Sequence, residues 1–174
     1  MLKLKEKVHA DFIEGKKKEK IFIDVAISHG YECIPASKAI DINLHWDVLI
    51  KKDGKKARTE IKGEKEAHKY GYTWIELINW EGNVGWLYGE ADVLAIMHPD
   101  RFDIYLISSI RKLIEERVDK SLPILKSIPK KENGETDYNY MRFRQYNGFN
   151  RREDVSVIVS FEDINEFKIS SMKR

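Results

Sequence analysis

Residues 51–56 read KKDGKK, and the Asp53-Gly54 step at their centre constrains this chain more than any other short stretch. Asp-Gly between two alternating runs is the strongest local signal for a β-hairpin, because a tight turn needs backbone torsions that Asp and Gly adopt readily. "LHWDVLIKK" leads in, with Trp46, Val48 and Ile50 alternating against His45, Asp47 and Leu49. "ARTEIKG" leads out, with Arg58, Glu60 and Lys62 on one face and Ala57, Thr59 and Ile61 on the other. Asp47 and Glu60 are therefore expected on adjacent antiparallel strands.

Two carboxylates facing each other there repel by on the order of 1 kcal/mol or more unless a cation lies between them. A hard divalent ion such as Mg²⁺ takes oxygen ligands of this kind, often one or two carboxylates completed by water and phosphate. A lysine beside that ion could hold or polarise an attacking water. The plainer alternative is a solvated Glu60–Lys62 pair worth about 0–1 kcal/mol.

Upstream, Asp11 to His29 is rich in Lys and Glu, lacks proline and is followed by Gly30, which predicts a helix with a glycine stop. At about 100° per residue, Phe12, Glu19, Ile23 and Ala26 fall in one narrow arc, so a carboxylate sits on an apolar stripe. "YECIPAS" then reads as a short strand ending at Pro35.

Asp47 followed across a hairpin by Glu60-Ile61-Lys62, with a preceding helix that carries Glu19, resembles the PD-(D/E)XK nuclease superfamily. The stretch "GKKKEKIFIDVAISHGYECIPAS" looks like the opening of its Holliday-junction-resolvase-like branch, with Gly15, Glu19, Phe22, Gly30 and Ser37 in comparable places. The likeness covers roughly residues 15–62. It implies a restriction-endonuclease-like αβββ core, an α/β fold with a mixed central sheet flanked by helices. It further implies that Asp47, Glu60 and the Ile61 carbonyl ligate Mg²⁺ or Mn²⁺, with Glu19 completing the site directly or through a water. Lys62 would orient or activate the nucleophilic water, and Ser37 is a weaker candidate for a phosphate contact. The implied activity is that of a Mg-dependent endodeoxyribonuclease, a metal-dependent nuclease that hydrolyses DNA phosphodiester bonds and selects junction or branched DNA. Relatives of this kind commonly act as dimers, so a homodimer is compatible with the resemblance, although no feature of the sequence proves one.

This chain departs from the superfamily pattern in two places. Trp46 stands where the motif carries its proline. After Lys62, where the family places a helix, "YTWIELINW" and "GWLYGEADVLAIM" read as strands, which moves the core helix to about Ile107–Val118. On those strands Trp74, Trp80, Trp86 and Tyr88 are expected in the core and Glu76 facing solvent. Glu90 and Asp92 are a weaker candidate for an extra acidic pair beside the metal.

A single domain accommodates all 174 residues, with a core at about 11–118 and a basic, aromatic extension at about 119–174. The extension interleaves Tyr138, Tyr140, Phe143, Tyr146 and Phe149 with Arg142, Arg144, Arg151 and Arg152. Rings that stack on bases beside guanidinium groups that contact phosphate form a workable DNA surface. The same stretch could instead be a loop and hairpin that packs its rings on the domain. A net charge of +2 does not by itself argue for nucleic acid.

The five histidines form no HxH or HExxH pattern and the lone Cys33 offers no partner, so zinc is poorly supported. A Walker loop and a dinucleotide fingerprint are both missing. With no secretion-like start and no run of about 20 apolar residues, a cytoplasmic protein without membrane partners is expected. The competing function is a non-catalytic nucleic-acid-binding protein that uses the basic aromatic arm, which would need neither Glu60 nor Lys62.

Overall fold

A computed structural model describes residues 2–63, 71–79, 81–137, 140–146 and 153–174. In chain order its principal elements are α1 (Leu2–Ser28), β1 (Glu32–Pro35), α2 (Lys38–Leu44), β2 (Val48–Lys52), β3 (Lys55–Lys62) and β4 (Tyr72–Ile78). There follow β5 (Val93–Met97), β6 (Arg101–Leu106), α3 (Ile107–Arg117), β7 (Phe143–Tyr146), β8 (Glu153–Ser160), the single turn α4 (Phe161–Ile164) and β9 (Lys168–Lys173).

The expected hairpin is present in the expected register. Asp53 and Gly54 both take positive φ, 51° and 74°, and Lys52 pairs with Lys55, Ile50 with Ala57 and Val48 with Thr59. From this ribbon the main sheet grows to six strands in the order β1-β2-β3-β5-β6-β9. The β3–β5 pair is parallel and the other neighbours are antiparallel, so the fold is α/β with a mixed central sheet flanked by helices. The order α1, β1, β2, β3 is as expected, with α2 inserted between β1 and β2.

Alternation along the hairpin decides what each face meets. Val48, Ile50 and Ile61 bury against Phe22, Val25 and Ala26 of α1, and Phe22 meets Phe102 edge to face at 5.2 Å. The helix stops where glycine predicts: Gly30 takes φ 83° and the Tyr31 N–H donates back to the Ala26 carbonyl at 3.0 Å. Its start lies nine residues earlier than the sequence pattern implies, at Leu2 rather than Asp11.

On the other face, Leu94, Ile96 and Tyr105 pack with Ile107, Ile110 and Ile114 of α3 and with a second sheet, β4-β8-β7. That sheet is antiparallel and supplies Ile75, Leu77, Val157 and Val159 to the same core. The helix at Ile107–Arg117 lies where it was expected. Residues beyond 118 do more than extend the core, since β8 pairs with β4 and β9 closes the main sheet against β6. Tyr140 and Phe143 are buried, so these two rings pack on the domain. Trp80, Tyr138, Phe149, Arg151 and Arg152 lie outside the described residues.

One stretch read as strand is not one. Trp86–Tyr88 forms a single 3-10 turn between Gly85 and Gly89. A Cβ at Gly85 would stand 2.5 Å from the Glu76 carbonyl oxygen, so this close approach, which a strand would not make, requires glycine. Among the described residues, no helix is long and apolar enough to cross a membrane.

Candidate active site

Asp47 lies one residue before β2, but the ladder continues through it: its N–H donates to the Thr59 carbonyl at 2.8 Å and its carbonyl accepts from Ala36 N–H at 2.7 Å. This continuation sets Asp47 opposite Glu60, as the register requires. The Asp47 carboxylate turns toward β3, where Oδ2 accepts the Ile61 N–H at 2.7 Å. Asp47 is 9% exposed and Glu60 5%, so neither is a solvated surface carboxylate. Lys62 Nζ stands 2.5 Å from Glu60 Oε1, with about a third of its side chain exposed (32%). The ammonium also lies 5.3 Å above the Trp86 ring.

The electrostatics follow from two buried carboxylates and one adjacent ammonium. Burial pushes the Glu60 carboxyl up to about 8, with Lys62 opposing and Asp47 adding to the rise. Burial likewise raises Asp47, against the pull of Lys62 and of the Ile61 N–H. For Lys62, burial works to lower the pKa, but the charges of Glu60 and Asp47 outweigh it and the ammonium is held more tightly than usual. The locus therefore resists ionising both carboxyls at once.

Glu19 comes to this locus from α1. It is half-buried and paired with Lys16 at 2.8 Å, and Lys16 also reaches Asp41 Oδ2 of α2 at 3.3 Å. Burial raises the Glu19 carboxyl, Lys16 lowers it, and Asp47 lies close enough to raise it further. The structure thus sets Asp47, Glu60 and Lys62 together, with Ile61 contributing its backbone while its side chain faces α1, and brings Glu19 near enough to Asp47 for their charges to act on each other. Ser37 is the N-cap of α2, its Oγ accepting the Ile40 N–H at 3.3 Å.

Two acids at this site escaped the sequence reading. Asp41 raises the carboxyls of Glu19, Asp47 and Glu60, and the one local signal for it was an acid in the first turn after the Ser37 cap. Glu76 was expected in solvent. It is instead half-buried, with Oε1 accepting the Trp86 N–H at 3.4 Å and Lys62 as its largest opposing charge. Glu90 and Asp92 pair with Arg58, at 2.7 and 3.0 Å.

The arginines expected at nucleic acid are placed differently from one another. Arg142 Nη2 donates to the carbonyls of Lys120 and Leu122 at 2.8 and 2.6 Å, holding that turn. Arg144 is exposed on β7.

Among the described residues, no three Asp, Glu, His or Cys side chains gather closely enough to form a metal cage. The donors at the site are oxygens, the carboxylates of Asp47 and Glu60 beside the backbone of Ile61. Such a set suits a hard cation that keeps several of its waters, Mg²⁺ or Mn²⁺, better than zinc. Comparison with protein-family models, curated proteins and solved structures finds no match to this chain.

Proposed function

We propose that this chain is a metal-dependent nuclease that hydrolyses DNA phosphodiester bonds. The observation that carries the reading is the buried Asp47–Glu60 pair with the Lys62 ammonium at its edge. Buried carboxylates destabilise a fold unless they are paired, and carboxyls whose pKa burial and a neighbouring charge shift this strongly cluster at functional sites. Asp47 and Glu60, with the Ile61 carbonyl, would hold Mg²⁺ or Mn²⁺, and Glu19 would reach it directly or through a water. Bound there, the cation would polarise a phosphoryl oxygen and acidify a water.

The chain's own residues do the remaining work. Asp47 is fixed by the Ile61 N–H, so its free oxygen is aimed without further ordering. Lys62 donates to the attacking water or to a non-bridging oxygen of the scissile phosphate, where negative charge grows. The water oxygen bonds to phosphorus, the bond to one sugar oxygen breaks, and that oxygen takes up a proton. The products are a phosphate monoester and a hydroxyl. Arg144 on β7 and the basic residues at 151–152 are proposed to grip the DNA backbone, a contribution that weakens with salt. Branched DNA is the proposed preferred substrate.

The test is nicking of supercoiled plasmid with Mg²⁺, Mn²⁺ or EDTA, by the native chain and by Glu60→Ala and Lys62→Ala. Metal-dependent nicking lost in both variants, with DNA binding retained, supports the proposal. Binding without nicking under either metal refutes it and favours a non-catalytic nucleic-acid-binding protein.

A further inference from the structure

One face of the main sheet is covered only in part. α1 packs Phe22, Val25 and Ala26 on it and stops at Ser28. Beyond the helix, toward the tip of the β2–β3 hairpin, lies a groove of about 470 Å³ that crosses strands β2, β3, β5, β6 and β9, with Tyr31 of the loop after α1 beside it. Val93, Ile104 and Met172 form its floor, each nearly fully buried in the core below. Leu106 and Ile169 stand open on its rim, 37% and 53% exposed.

A bulge and an imbalance of charge set this groove apart from ordinary surface. Ile104 pairs with Ser170 and Tyr105 with Lys168, so Ile169 is the extra residue between them. It lines the groove together with its neighbour Ser170, where strict alternation would send one of the two to the opposite face. The hairpin also sets Lys51 opposite Lys56 and Lys52 opposite Lys55, and like charges directly across a ladder destabilise it. Lys51 is answered by Glu32 at 3.1 Å, and Lys52 donates to the His29 carbonyl at 2.8 Å and lies 5.1 Å from the Tyr31 ring. Lys55 and Lys56 line the groove and are exposed, and among the described residues neither makes a hydrogen bond or an ion pair. Of the two acids in the lining, Asp92 is already paired with Arg58 at 3.0 Å, which leaves Asp53 against two uncommitted lysines.

We propose that this groove docks an acidic amphipathic segment of a partner protein, with its apolar side chains on Ile169, Leu106 and the floor and its carboxylates on Lys55 and Lys56. Charge complementarity selects this occupant. A nucleic acid would answer the lysines but set its phosphates beside open aliphatic side chains, and a second copy seated groove to groove would bring in two more uncommitted lysines. The surface is independent of the cleavage reaction, because it lies on the α1 face while the Lys62 ammonium lies on the other, over the Trp86 ring.

The test uses the full chain. Short random peptides on phage are depleted on Ile169→Asp, selected on the native chain, and resynthesised with a fluorophore for anisotropy titration. Ile169, Lys55 and Lys56 are exposed, so Ile169→Asp and the double variant Lys55→Glu with Lys56→Glu should melt with the native chain. The expected result is enrichment of peptides that combine Asp or Glu with aliphatic residues, with affinity about tenfold lower for the double variant and falling as salt is added. Failure to enrich, enrichment of basic or uncharged sequences, or binding that the double variant leaves unchanged overturns the proposal. Two further measurements can overturn it. Self-association of the native chain that Ile169→Asp abolishes in sedimentation assigns the groove to a second copy, and DNA binding lost in the double variant, with no peptide enriched, assigns it to nucleic acid.

Discussion

Replacing Glu60 by glutamine should stabilise the metal-free fold in alkaline solution and abolish cleavage. The carboxyl is 5% exposed and its pKa is pushed from 4.5 to about 8. A carboxyl whose folded pKa lies above its unfolded one contributes stability that is complete below about pH 4.5 and lost as pH climbs through 8. At about 1.4 kcal/mol per pKa unit, the ionised carboxylate could cost the fold up to ~5 kcal/mol. Glutamine removes that cost but strips Lys62 of its partner at 2.5 Å; because about a third of Lys62 is exposed (32%), the ammonium can turn to water. The net gain expected is roughly 1–3 kcal/mol near pH 9, in the range found when buried ion pairs are replaced, and close to nothing near pH 5. Lys62 does not disturb this window, since its raised pKa contributes stability that is lost only above 10.5. The assay is urea unfolding in EDTA at both pH values, with m compared to confirm that the denatured states match. A variant weaker than the native chain by the same margin at both pH values would refute the reasoning, because Glu60 would then act as an ordinary stabilising partner. Adding Mg²⁺ should raise the stability of the native chain and leave Glu60→Gln unmoved, as linkage to a ligand of the folded state requires.

Lys62→Ala should lower single-turnover cleavage by about 10²–10³, the usual cost of losing one positioned donor to the developing charge, with DNA affinity in a gel-shift assay little changed. Gly85→Ala should lose about 1–3 kcal/mol in a thermal melt, because the new Cβ meets a backbone carbonyl that cannot yield. Asp103→Asn should cost about 3 kcal/mol in urea unfolding, since the buried carboxylate accepts from Ser171 Oγ at 2.6 Å and Arg101 Nε at 2.9 Å and joins β6 to β9. Burial works to raise Asp103, but those two bonds outweigh it and hold its pKa below 3.8. Its stabilisation is present above that value and lost as pH falls, so variant and native chain should converge in acid.

Local rules made the hairpin, its register and the shared face of Asp47, Glu60 and Lys62 legible, because a two-residue turn and a period of two leave little freedom. The stripe that carries Glu19 was legible from the helical period of about 100° per residue. What covers each face was not. Alternation set Glu76 opposite Ile75 and Leu77, yet whether that face meets water depended on the Trp86 turn, which a glycine contact folds back upon it. The second sheet was hidden too, since β4 pairs with β8 some eighty residues later, Tyr72 opposite Ser160, and no local pattern encodes such a contact. Arg142 was expected among the groups that contact phosphate, and composition does not disclose that its guanidinium is bonded to the carbonyls of Lys120 and Leu122.

The most direct measurement is single-turnover cleavage of an end-labelled four-way DNA junction, with protein in excess and binding saturated. Native chain and Asp47→Asn would be compared in Mg²⁺, in Ca²⁺ and in EDTA. Cleavage by the native chain in Mg²⁺ alone, with Asp47→Asn bound equally well but inert, is the result expected if Asp47 and Glu60 hold the catalytic cation. Saturated binding with no cleavage in Mg²⁺, or cutting by Asp47→Asn at the native rate, would contradict it.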